Sequence, residues 1–207
     1  MANVLFIKAN DRPADQAISV KMYDTFVKSY VESNPNDEIT ELDLFNVELP
    51  YYDNQTLTAL YKLNQGYELS AEEASAAELV NGYLDQFLAA DKVVFAFPLW
   101  NFTVPAQLTT YISYLSQAGK TFKYTEQGPV GLVTGKKVVL LHARGGVYSA
   151  GPMADIEAAL RFVKAAIGLW GIQAEEVIIE GHNQAPDRAK DIVEAGLAQT
   201  KQLAAAF

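Results

Sequence analysis

Residues 93–105 read Val-Val-Phe-Ala-Phe-Pro-Leu-Trp-Asn-Phe-Thr-Val-Pro. Leu99, Trp100, Asn101 and Phe102 within them suit a flat heteroaromatic ligand with hydrogen-bonding edges. Val93–Phe97 is β-branched and aromatic, with the length of a strand buried on both faces. Pro98 has no N–H to give a ladder, so the strand ends there. Thr103 is the expected cap of a helix that carries Pro105 in its first turn. The turn between them lies at the carboxyl end of a parallel strand, where open α/β sheets bind ligands. A plain strand–loop–helix joint with aromatics packed into the core accounts for the same residues.

Two further loops could share that ligand. After Lys8 the chain runs Ala9-Asn10-Asp11-Arg12-Pro13-Ala14-Asp15-Gln16-Ala17-Ile18-Ser19 and opens a helix. Free amides and the helix dipole favour an anion at such a place. The loop has no glycine, so it is neither a dinucleotide fingerprint nor a P-loop. A phosphate there would rest on backbone amides, Asn10, Ser19 and Arg12; the simpler reading is that Asp15 or Ser19 caps the helix. The second loop is His142-Ala143-Arg144-Gly145-Gly146-Val147-Tyr148. Its glycines permit positive φ and close approach of backbone to a ligand. Arg144 could pin the turn or meet a ring carbonyl. His142 is expected to be a hydrogen-bonded structural histidine rather than a proton donor, and His182 has no partner visible in the sequence. No catalytic triad order, metal-ligand spacing or paired-carboxylate motif stands out.

The elements that would position these loops alternate. Val4–Ile7, Val93–Phe97, Val138–Leu141 and Val177–Ile179 read as buried parallel strands, and Glu38–Leu44 as an edge. Helical periodicity falls between them: Met22, Phe26 and Tyr30; Leu79, Val80, Tyr83, Leu84, Phe87 and Leu88; Ile156, Leu160, Val163 and Ile167; and a terminal helix over Asp187–Leu203. The expected fold is α/β, a flavodoxin-like doubly wound five-stranded parallel sheet in the order 2-1-3-4-5, with helices on both faces and one domain over 1–207. In that order the three loops meet in one crevice. Two excursions exceed the minimal unit. One, at about 47–70, is rich in tyrosine; the other, at about 119–136, reads as a hairpin. Long segments of this kind often serve as lids or contact surfaces.

Composition narrows the function. The 207 residues are 50% hydrophobic and carry a net charge of −9 with no cysteine. Thiol and iron–sulfur chemistry are excluded, and a reducing, cytoplasmic setting fits. The N-terminus lacks a basic region followed by a long apolar run, and no stretch approaches a membrane span. An acidic surface without a basic cluster makes nucleic acid and anionic membranes poor partners.

Leu99-Trp100-Asn101-Phe102, Ala143-Arg144-Gly145-Gly146, and Phe122–Pro129 followed by Gly131–Lys137 resemble the FMN-dependent NADH-azoreductases, in order and spacing along nearly the whole chain. The resemblance implies a homodimer with FMN at the interface. It implies ring contacts from Leu99, Trp100, Asn101, Phe102, Ala143, Arg144, Gly145 and Gly146. It implies phosphate contacts from Asn10, Ala17, Ile18 and Ser19. Some members carry serines where this chain has Ala9, Asn10 and Ala17, which shifts weight onto backbone amides. Tyr124 matches a family tyrosine near the flavin, and Leu169 falls where some members carry an aromatic; with Tyr148 they are the candidate substrate contacts. The implied reaction is ping-pong. NADH or NADPH reduces FMN and leaves, then an azo compound or a quinone takes two electrons at the same face. The alternative is a flavodoxin-type electron-transfer protein without its own substrate pocket, which the two excursions argue against.

Overall fold

The computed structural model describes residues 1–207. Its strands are β1 (Asn3–Lys8), β2 (Glu38–Asp43), β3 (Lys92–Pro98), β4 (Phe122–Thr125), β5 (Gly128–Gly131), β6 (Lys137–Arg144) and β7 (Ala174–Glu180). Five of them form one parallel sheet in the order β2-β1-β3-β6-β7, the flavodoxin-like order; β4 and β5 form a separate antiparallel hairpin. The helices are α1 (Ile18–Ser33), α2 (Asn54–Gln65), α3 (Ala71–Ala89), α4 (Ala106–Leu115), α5 (Ala159–Leu169) and α6 (Ala189–Ala206).

Because side chains alternate along a strand, each central strand feeds two cores. Val4, Phe6, Val94, Ala96, Val139 and Leu141 pack with Met22, Phe26 and Tyr30 of α1 and Ala204 of α6. Leu5, Ile7, Val93, Phe95, Phe97 and Leu140 pack with α3, α4 and α5 through Phe87, Leu108, Tyr111 and Val163. Burial on both faces explains why these strands lack any polar alternation. The register then sets the site: Pro98 pairs with Ala143, and Arg144 with Glu180, so three strands end at one level.

Several local expectations change. Thr103 does not cap α4. Trp100 and Thr103 exchange both backbone hydrogen bonds at 2.9 Å, closing a two-residue hairpin, and Pro105 stands at the N-cap. Ile156 is not helical; it sits in a 3-10 turn over Ala154–Ile156, and α5 starts at Ala159. The break arises because Glu157 turns inward to accept the Leu160 amide at 2.9 Å. Asp187 likewise lies in a 3-10 turn, and α6 runs on past Leu203 to Ala206.

The 47–70 excursion contains α2, capped by Asp53, and leads into α3, which opens on a Ser70/Glu73 capping box. The 119–136 excursion is the β4–β5 hairpin. It is docked on the end of α5: the Val133 amide bonds the Trp170 carbonyl at 2.9 Å, and Gly131 lies against Gly171. A Cβ at Gly131 would fall 2.2 Å from the Gly171 nitrogen, a contact between backbones that cannot yield. Gly131→Ala is therefore expected to lift the hairpin and to cost about 1–3 kcal/mol. Urea unfolding measures it; an unchanged midpoint would show that the hairpin is not held there.

Candidate functional site

A cavity of about 460 Å³ opens where the three strands end, lined by Asn10, Arg12, Asp15–Ser19, Pro98–Trp100, Ala143–Gly145, His182 and Asn183. A second, of about 530 Å³, is lined by Leu99, Asn101, Phe102, Gly145, Gly146, Tyr148, Asn183 and Gln184. They share Leu99, Gly145 and Asn183, so they are two halves of one crevice. A separate cavity of about 540 Å³ beside α2 and α3 shares no residue with it. The carboxylates of Glu48, Asp53 and Glu72 on its rim repel anions.

The first half is built around the start of α1. Its N-cap residue, Ala17, makes no side-chain cap bond, and no acid sits in the first turn. Neither Asp15 nor Ser19 caps the helix. Asn10 is buried at 2% exposure; its Nδ2 donates to Ser19 Oγ at 2.9 Å and its Oδ1 accepts the Arg12 amide at 3.0 Å. The loop is thus folded onto the helix by one amide side chain. The first-turn N–H groups, and the Ser19 hydroxyl proton, remain for an anion. Arg12, which also lines this half, is exposed, its guanidinium 3.4 Å from Gln16 Oε1.

The second half is built around a strained turn. Asn101 has φ +48° and Phe102 φ +67°, and they form the two-residue tip of the Trp100–Thr103 hairpin. Asn tolerates the left-handed region; a bulky Phe is an outlier there. Tertiary bonds hold it: the Ala158 amide donates to the Phe102 carbonyl at 2.8 Å, and the Leu99 amide to the Ala143 carbonyl at 2.8 Å. The Phe102 ring meets Tyr148 edge-on, with centroids 6.4 Å apart.

A buried charge network ties the loops together. Arg144, 4% exposed, donates from Nε to Glu180 Oε2 at 2.9 Å and lies 3.7 Å from Glu157 Oε2. The guanidinium therefore pins the turn. Glu180 also accepts the amides of Tyr148 (2.8 Å) and Ser149 (3.2 Å) and the Ser149 hydroxyl. Burial alone would raise the Glu180 carboxyl. The Ser149 hydroxyl, the Tyr148 amide and Arg144 outweigh that and hold it below the usual range. Glu157 behaves alike: burial raises it, while His142, the Leu160 amide and Arg144 bring it lower. His142 is fully buried and hydrogen-bonded through Nδ1, 3.1 Å from the Phe97 carbonyl; its Nε2 makes no hydrogen bond and lies 3.5 Å from Glu157 Oε1.

The family model described as flavodoxin-like fold matches residues 2–204. An FMN-dependent NADH:quinone oxidoreductase of Bacillus cereus is 64% identical over all of both chains. The chain belongs to this family of flavodoxin-like FMN-dependent oxidoreductases. Among solved structures, an azoreductase of Bacillus anthracis superposes with a TM-score of 0.98 at 54% identity over all of both chains. An FMN-dependent NADH-azoreductase of the same species, in complex with FMN, does so at 0.86 and 29% identity, over 99% of this chain and 100% of the other.

The cofactor of this family fits the crevice on observations of the crevice itself. The first turn of α1 has no acid and no side-chain cap, so its amides are free for an anion; the exposed Asp15, two residues before the N-cap, also lines the cavity beside Arg12. Gly145 and Gly146 leave the wall low. Their φ angles are not positive, contrary to the expectation from sequence; they are needed for close approach instead. A Cβ at Gly145 would reach 2.4 Å from Asn183 Nδ2, and one at Gly146 3.1 Å from the Tyr148 ring. Tyr124 and Leu169 line neither half. Tyr124 is 75% exposed on the hairpin, and Leu169 borders a shallow apolar groove with Tyr52, Ile112 and Phe162. Glu157, Glu180 and Asn183 escaped the sequence reading. Glu180 had a signal, an acid ending an apolar strand just before Gly181; Glu157 had none, because it lies inside an apparent helical face.

Two outcomes test this geometry. Glycine ordinarily destabilises relative to alanine, but at position 102 the left-handed φ reverses the order. F102G is expected to be more stable than F102A by about 1 kcal/mol in urea unfolding; alanine being the better residue would mean no strain. Glu157 titrates below its ordinary 4.5, so its ionised form adds stability above about pH 4.5, and this is lost as pH falls through the depressed value. The gap in thermal midpoint between wild type and Glu157→Gln should be full at pH 6 and shrink below pH 4.5; a constant gap would show that the charge contributes nothing.

Proposed function

We propose that this protein uses NADH to reduce quinones and azo compounds by two electrons through FMN bound in the crevice. The observation that carries the reading is a single continuous crevice, running from an uncapped helix start to a strained aromatic turn. That is the shape of a mononucleotide with a broad ring. When bound, FMN supplies the redox chemistry, accepting two electrons from the nicotinamide and passing them on. The chain's own part is to hold and screen. Amides of Ala17, Ile18 and Ser19, with the Ser19 hydroxyl and Asn10 behind them, meet the phosphate. Leu99, Trp100, Asn101 and Phe102 face the ring from one side and Ala143, Arg144, Gly145 and Gly146 from the other. Asn101 supplies an amide to a polar ring edge. Arg144 acts through the turn it pins, since both its carboxylate partners are already engaged.

Tyr148 and Phe102 line the ring half, and with the two excursions over the flavin, nicotinamide and acceptor take turns at one face; NADPH is the alternative donor. We further propose a cytoplasmic homodimer. Tyr51, Leu57, Tyr61, Tyr67 and Tyr124 are exposed large side chains on the two excursions, the composition of an interface core. In a dimer Tyr124 and Leu169 can reach a partner's crevice, which neither lines in its own chain. No helix is long and apolar enough to cross a membrane. A carrier without a substrate pocket would not need these excursions.

Initial-rate plots at several fixed quinone concentrations should be parallel, with a bound acceptor analogue competing against NADH. Asn101→Ala should slow reduction and weaken FMN by about 1–3 kcal/mol. Intersecting lines would mean two separate pockets, and unchanged flavin affinity would make Asn101 a turn residue only.

A further inference from the structure

His182 has no part in the contacts described so far. It follows Gly181, whose φ of +80° turns the chain out of β7. The Gly181 amide donates to the carbonyls of Arg144 and Gly146, both at 3.2 Å, and the Asn183 amide to that of Gly145 at 2.9 Å. The histidine is therefore mounted on the second ring loop. It lines the same cavity as Asn10, Ile18 and Ser19, which also holds Trp100, Ala143 and Arg144, whereas Gln184 borders only the other half. Nδ1 is sealed from solvent and meets no donor or acceptor.

A neutral imidazole has one proton to place. On Nδ1 it would be a buried N–H with no acceptor, a rarer and costlier defect than an unmet lone pair. The proton therefore sits on Nε2, the nitrogen left to meet a ligand. Charging the ring would put a second proton on the same sealed Nδ1, and burial already holds this histidine below its ordinary range. Of the two cations that line this half, Arg144 is committed to Glu157 and Glu180, while Arg12 is exposed and bonded only to the neutral Gln16 at 3.4 Å. Apart from Arg12, the donors that this half offers an anion are neutral N–H and O–H groups.

We propose that His182 is a phosphate-binding residue, a neutral Nε2–H donor to the phosphate of FMN; the assignment rests on the crevice being the flavin site. Flavin binding to the deflavinated protein, read by quenching of flavin fluorescence, tests it. H182L and H182N should weaken FMN about ten-fold and leave riboflavin, which lacks the phosphate, unchanged. H182Q should stay within two-fold, since a glutamine amide reaches the position of Nε2 and an asparagine amide only that of Nδ1. Equal weakening of riboflavin, or FMN affinity unchanged in H182L, overturns the proposal. Ser19→Asp separates this from the site itself. If S19D abolishes FMN binding and spares riboflavin while H182L does nothing, only the role of His182 falls. If S19D leaves FMN binding intact, the crevice is not the phosphate site. The unsubstituted protein offers a second readout, because His142 and His182 are its only histidines. Nitrogen-15 NMR should show His182 as the Nε2–H tautomer, with its Nε2 resonance moving on FMN and not on riboflavin. An Nδ1–H tautomer or a charged ring would overturn the proposal.

Discussion

A buried guanidinium is the constraint from which the rest of the site follows. An unpaired charge at the depth of Arg144 would cost several kcal/mol, so carboxylates must come to it. Glu180 arrives from the end of β7 and, once there, also collects the amides of Tyr148 and Ser149. Glu157 arrives from the start of α5, which it breaks, and the neighbouring Ala158 amide then holds the Phe102 carbonyl. One side chain thereby fixes the loops after β3, β6 and β7 against one another. The pairing of Arg144 with Glu180 is also a register position of two adjacent strands, so sheet pairing and charge pairing enforce the same alignment.

That rigidity explains how Phe102 can sit in a left-handed conformation. Strain of this kind persists only where surrounding bonds over-determine it, and it concentrates at ligand sites. The hairpin bonds between Trp100 and Thr103 fix the turn from within, and the Ala158 and Leu99 amides fix it from outside. A glycine would satisfy the backbone better. What glycine cannot supply is the ring that meets Tyr148 at the mouth of the crevice.

The legible part of the sequence was the part governed by period and composition. The buried strands follow from unbroken apolar runs and the helices between them from their 3.6-residue period, and the 2-1-3-4-5 order is the flavodoxin-like one in which the three loops share a crevice. Leu99–Phe102 and Ala143–Gly146 stood out because unusual residue types follow apolar runs. What escaped depends on partners distant in sequence. Thr103 looked like a cap because nothing local reveals that its backbone closes on Trp100. Glu157 looked like one more residue of a helical face, since its reason for turning inward, Arg144, is on another strand. At Gly145 and Gly146 one of the two expected causes fails, since no positive φ is involved, and the crowding by Asn183 and Tyr148 had no sign in the sequence.

Charge shapes how such a site handles an anion. The chain carries a net charge of −9, and the one arginine deepest in the crevice is already matched by two carboxylates. A phosphate entering there gains little from long-range attraction, which an acidic surface opposes and salt screens. On the reading proposed above it is held at short range, mainly by oriented neutral donors: first-turn amides of α1, a serine hydroxyl positioned by Asn10, and one imidazole N–H, with the exposed Arg12 beside them. Donors of that kind are fixed by the fold before any ligand arrives. They lose little entropy on binding, and they favour an anion of one shape over anions in general. On the proposed reading, short-range donors of this kind let the crevice take a phosphate while the surface around it stays acidic.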